Sequence, residues 1–149
     1  MKHVAVIGLG SILALSALAT VAEEVDSEAL IKYRGNAMKA MSGHLGALGV
    51  IAKGGVPFQQ LAVAHARALL VLSASIPKMF PPGSDFGETD AKAEIWSQPV
   101  EFEQSAGLAA KRADALFSAA QNGDQATLSV SVKELGEACK RCHDKFRED

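Results

Sequence analysis

Cys139-Lys140-Arg141-Cys142-His143, close to the C-terminal end of the chain, decides how the rest is read. Two thiols three positions apart project from one side of a helix. An imidazole follows directly after the second. This C-x-x-C-H spacing is the attachment signature of a c-type haem. The thiols add across two vinyl groups on one porphyrin edge, and the adjacent histidine offers a ring nitrogen to the iron as proximal ligand. The cofactor implied is one haem c, covalent through Cys139 and Cys142, with His143 as metal ligand.

Three plainer readings compete. Structural zinc takes four ligands, and beyond the motif the mature region offers only His44 and His65, which stand alone in sequence. A redox dithiol belongs in a βαβ setting, and no segment alternates like a strand. A structural disulfide would suit an exported protein, but two cysteines this close, followed by histidine, suit haem attachment better.

Outward from the motif, Leu128, Val132, Leu135, Cys139, Cys142 and Phe146 recur at spacings of four and three. That is the core seam of an amphipathic helix, and Asp124 stands where a cap belongs. Upstream, Phe102, Ala106, Ala109, Ala113, Leu116 and Ala120 repeat the pattern from Pro99 to Asn122-Gly123. A helix from about Pro57 to Ser75 carries Leu61, His65, Ala68 and Leu72 as its stripe, widened by Leu69, Leu70 and Ile76. The first helix, about Ser27 to Lys53, shows Ile31, Arg34, Met38, Met41, Leu45, Leu48 and Ala52. Gly43, Gly46 and Gly49 interrupt it: either the helix is weak there or its backbone approaches a neighbour. Gly54-Gly55 ends it. Between Pro77 and Gln98 the pattern breaks, with one helical turn expected over Ala91 to Trp96; a connection this long is functional or partly structured. Four amphipathic helices with two short connections and one long one predict an all-α fold, an antiparallel four-helix bundle with the haem attached inside it.

The chain has 149 residues. Residues 1–22 read as a secretory signal peptide: Lys2 and His3, an apolar run from Val4 to Leu18, then small residues ending at Ala22, with Ala19 as the other cleavage point. The domain is then 23–149, with 14 basic and 17 acidic residues once Lys2 is removed. No clustered positive charge marks a nucleic-acid binder, and no mature stretch is long and apolar enough for stable membrane insertion. With few aromatic residues and much alanine, the centre needs the apolar volume of a porphyrin.

Ile31-Lys32-Tyr33-Arg34, Ile51-Ala52-Lys53-Gly54 with Pro57-Phe58, Glu94-Ile95-Trp96, and Cys139 to His143 followed by Phe146-Arg147 occur in an order that resembles the class II cytochromes c, meaning cytochrome c′ and its low-spin relatives. The resemblance covers the mature chain and places Met38 on the distal side of the haem. Met38-Lys39, the stretch Ile51 to Phe58, and Ile76 to Pro81 look like the low-spin branch, in which a methionine here binds iron; Met41 and His44 are poorer candidates. The function this implies is a periplasmic one-electron carrier, not an enzyme, with iron ligated by His143 and Met38. The alternative is a five-coordinate, high-spin cytochrome c′ that binds NO or CO, in which Met38 fills space and blocks the sixth position. Arg34, a charge in an apolar seam, needs an anion, and a haem propionate is the candidate partner; a snorkelling side chain or a nearby acid is the other reading. Arg147, one turn beyond His143, either tunes that ligand or caps a solvated helix end. Lys140, Arg141, Lys145 and Arg147 form a basic patch suited to an acidic redox partner protein, or simply a solvated face. Family members form homodimers through the first two helices, and Ala40, Gly43 and Ala47 permit close packing.

Overall fold

The computed structural model describes residues 26–148, and the expected leader, 1–22, lies outside them. Helix α1 is Ser27–Ala52, α2 is Ala62–Ala74, α3 is the single turn Glu94–Ser97, α4 is Pro99–Asn122 and α5 is Gln125–Phe146. Among the described residues there is no strand, only an isolated bridge between Ala91 and Arg147. Helices α1 and α4 each pack against both α2 and α5. The four main helices therefore close a ring, the expected antiparallel bundle.

The helix ends follow from their sequences. At the start of α1, Asp26 Oδ1 accepts from the backbone N–H groups of Glu28 and Ala29, at 3.0 and 3.3 Å. At its end Gly54 takes φ +70°. Its N–H donates to Ile51 O, and that of Gly55 to Val50 O. That pair of bonds is a Schellman close, which satisfies two carbonyls the helix leaves open. Gln125, at the start of α5, satisfies one more and reinforces another: its Nε2 donates to Ala52 O at 3.0 Å and to Ile51 O at 2.8 Å.

Helix α2 departs from expectation twice. It begins at Ala62 rather than Pro57, after a 3₁₀ turn over Gln59–Leu61. Phe58 offers no capping side chain there, so the chain enters through a tighter turn. Leu69 and Ile76 are buried as expected, but the stripe of Leu61, His65, Ala68 and Leu72 is one residue out of register. Ala62, Ala66, Leu69 and Ser73 face inward, while Leu61 is 44% exposed and Val71 59%. With leucine on nearly every side, apolarity alone does not select a face, and the small residues allow the closer approach. On α1, α4 and α5 the expected seams face the core: Leu48, Leu116 and Leu135 are fully buried.

The long connection is structured. It contains a 3₁₀ turn, Ile76–Met79, and α3, and it is tied to the end of α5. Lys92 N–H donates to Phe146 O at 3.0 Å, and Glu148 N–H to Asp90 O at 2.7 Å. Phe102 packs edge-on against both Phe80 and Phe146, with ring centroids 5.2 and 5.4 Å apart. This aromatic layer, joining the connection, α4 and α5, lies along the wall of the main cavity.

Candidate haem site

The periodicity of α5 turns Cys139, Cys142 and His143 toward the bundle, and all three are half-buried. They share one cavity of about 1490 Å³ with Arg34, Met38 and Met41 of α1. That volume exceeds the roughly 300–1,000 Å³ of ordinary small-molecule pockets. Ala106 and Ala109 of α4 and Gly136 of α5 keep the walls low, while Phe86 and Thr89 come from the long connection. The cavity thus gathers every site residue expected from sequence: Cys139, Cys142, His143, Met38 and Arg34.

The donor chemistry fits haem c and fits the other readings poorly. Burial pushes both thiols up, and the neighbouring Cys139 helps raise Cys142 to about 11. Reactive dithiols need the opposite shift. Both cysteines are free rather than bridged, and among the described residues no three His, Cys, Asp or Glu side chains gather as a metal site. Burial, with the charge of Arg147, lowers the pKa of His143 against an opposing pull from Asp144. Its imidazole is therefore held neutral, as a metal ligand must be. Arg147 Nη1 lies 3.4 Å from His143 Nδ1, long for a hydrogen bond.

Arg34 is the unusual group. It is only 3% exposed, so it does not snorkel to water. Its Nη1 donates to Ser84 Oγ at 3.0 Å and its Nη2 to Thr89 Oγ1 at 2.7 Å. The guanidinium carbon lies 4.7 Å from the ring centre of Phe80 and 5.6 Å from that of Trp96. Among the described residues no carboxylate pairs with it. Burial lowers its pKa. A buried charge needs a counter-charge to offset desolvation, and Arg34 lines the same cavity as the cysteines. The cavity therefore combines paired thiols, a neutral imidazole, apolar walls and a cation without its anion, and a porphyrin bearing propionates matches that set.

Met41 is buried in the core at the cavity wall. The ring nitrogen of His44 is against His65 instead, 2.9 Å away, so these two are not isolated as their sequence positions suggest. The expected basic patch is partly neutralised: Lys140 pairs with Asp144 at 2.6 Å, and Lys145 pairs with Glu101. Trp96 packs, and its Nε1 donates to Pro81 O at 3.0 Å. Ser84, Thr89 and Phe80 had no sequence signal as partners of Arg34, because they belong to the aperiodic connection.

The family model described as Cytochrome C' matches residues 29–147. The chain is 41% identical to the cytochrome c′ of Pararhodospirillum photometricum over 81% of its own length and 98% of the relative's. A solved nitric oxide complex of a variant cytochrome c prime from Alcaligenes xylosoxidans superposes with TM-score 0.78 at 33% identity, covering 85% of this chain and 99% of that one. A carbon monoxide-bound variant from the same source gives TM-score 0.77 at 32% identity, with 84% and 98% covered. These findings overturn the expectation of a low-spin electron carrier ligated by His143 and Met38. A haem whose two axial positions are both filled by protein leaves none for a diatomic ligand. The short stretches around Met38, Ile51 and Ile76 pointed to the wrong branch because a methionine on the cavity wall reads the same whether or not it bonds iron.

Proposed function

The chain belongs to the cytochrome c′ family, and from that premise we propose that it is a periplasmic, five-coordinate, high-spin haem protein that binds NO or CO. The two gas complexes solved for variants of one relative carry this reading. Haem c, which Cys139, Cys142 and His143 would hold, would supply a redox-active iron able to bind a diatomic gas.

The residues of this chain do the rest. Cys139 and Cys142 tether the porphyrin edge, and their raised pKa values keep both thiols protonated until attachment. His143 presents a neutral imidazole to the iron. Arg34 neutralises a propionate in the cavity, held in place by Ser84, Thr89 and the rings of Phe80 and Trp96. Met38, partly buried against the core, stands as an unbonded wall of the distal side; it keeps water and larger ligands out and leaves room for a diatomic. No described helix is long and apolar enough to cross a membrane, and residues 1–22 serve as the export leader.

Electron paramagnetic resonance of the ferric holoprotein tests the spin state. An axial high-spin signal is expected. A rhombic low-spin signal at neutral pH would show a second strong axial ligand and end this reading.

A further inference from the structure

His44 and His65 lie on different helices and meet ring to ring. Their Nδ1 atoms are 2.9 Å apart, a hydrogen-bond distance. The ring centroids are 5.2 Å apart, close to that distance plus the two ring radii. The nitrogens therefore point at one another, and a single N–H on the line between them joins α1 to α2. Both side chains are half-buried, so protons reach them from solvent.

The contact sits behind one wall of the haem cavity. Met41 and Leu45 of α1 flank His44 in sequence, and Leu69 of α2 is one turn from His65; all three line the cavity, and neither histidine does. The pair thus ties together the two helices that carry this wall, whether or not the sulfur of Met38 bonds iron.

The line between the rings has room for one proton. With both rings neutral, one Nδ1 donates and the other accepts. One added proton leaves a donor and an acceptor in place and makes the bond charge-assisted, which strengthens it. A second added proton leaves two donors and no acceptor, with two like charges in contact. No opposite charge offsets them: among the described residues no carboxylate forms an ion pair with either ring. Residues 40–48 of α1 carry no ionisable side chain besides His44. On α2 the nearby charge is Arg67, turned over the ring of Phe117 of α4, 5.4 Å from its centre. On α4 and α5, Arg112 is paired with Glu134, Lys133 with Glu137 and Lys140 with Asp144, while Glu103, Lys111 and Asp114 are exposed.

We infer that His44 and His65 form a proton-operated latch between α1 and α2, closed while the pair shares a proton and opened by acid when both rings are charged. Imidazole changes charge between about pH 5 and 8, so the latch is closed in neutral solution and opens toward the lower end of that range. Opening loosens the cavity wall built from Met41, Leu45 and Leu69.

A double-mutant cycle on the ferric holoprotein tests it, with His44→Leu, His65→Leu and the double variant unfolded in urea. At neutral pH the two substitutions should be coupled by about three- to tenfold in the unfolding equilibrium, the net worth of one hydrogen bond. At about pH 5 the coupling should vanish or change sign. The Soret band and helical circular dichroism confirm folding in each variant. Amide hydrogen exchange of the native chain gives a second reading that needs no variant. Corrected for intrinsic rates, protection over residues 41–45 and 62–69 should fall several-fold at the acid pH, while that of Leu116 and Leu135 holds. Coupling absent at neutral pH, coupling of full size retained in acid, or protection over 41–45 and 62–69 that keeps pace with that of Leu116 and Leu135 would each overturn the latch.

Discussion

Arg34 occupies a position where the α1 seam calls for an apolar side chain, and its surroundings show how that is tolerated. Two hydroxyls, two aromatic rings and the haem cavity surround it. Hydrogen bonds to a buried charge are among the stronger ones, and removing one partner leaves the others unsatisfied. Arg34→Met should therefore cost about 2–4 kcal/mol of holoprotein stability, read by urea unfolding followed at the Soret band. Arg34→Lys should recover little of it, because an ammonium cannot form the two-armed contact to Ser84 and Thr89. An unchanged unfolding midpoint in both variants would remove Arg34 from the site. The misplaced charge itself was legible in the sequence. Its partners were not, since Ser84 and Thr89 stand 50 and 55 positions away in a segment without periodicity. The same distance effect hid the His44–His65 pair. Met38 was legible as a cavity residue, but residue type alone does not report whether its sulfur is bonded.

At the scale of elements, the strongest sequence signals were those with a local cause. Gly54 and Asp124 mark helix ends through contacts made within a few residues, and the structure places the ends where those residues stand. The face of α2 has a tertiary cause, the approach of α4, and its sequence pattern misplaced it by one residue. The glycines of α1 had left open whether the helix weakens or packs closely. The helix runs unbroken through them, and a Cβ added at Gly43 or Gly46 would meet nothing within 4 Å. Gly46→Ala should therefore stabilise the chain by about 0.5–1 kcal/mol, the backbone entropy that glycine gives up in a helix. Thermal unfolding of the holoprotein checks it. A lower melting temperature would mean that something outside this chain packs against the position.

For the whole molecule, the helix count, the short connections and the position of the haem motif were enough to read the bundle. What they did not convey was how far the centre depends on the cofactor. A cavity of about 1490 Å³ runs through a core built mainly of alanine and leucine. Without haem its apolar walls meet water. The Cys139→Ala/Cys142→Ala double variant should consequently lose covalent haem while keeping much of its helix. It should also bind a hydrophobic dye and lose its near-ultraviolet circular dichroism, as loosely packed states do. Sharp melting at the holoprotein's temperature would show instead that the polypeptide alone completes its core.

On the proposed function, the protein ligates iron from one side only. Carbon monoxide added to the ferrous holoprotein tests it most directly. A Soret band that shifts and sharpens, with saturable, reversible uptake of one carbon monoxide per haem, is expected. A ferrous spectrum left unchanged at saturating gas, with the narrow visible bands of a six-coordinate low-spin haem before any addition, would contradict it and return Met38 to the iron.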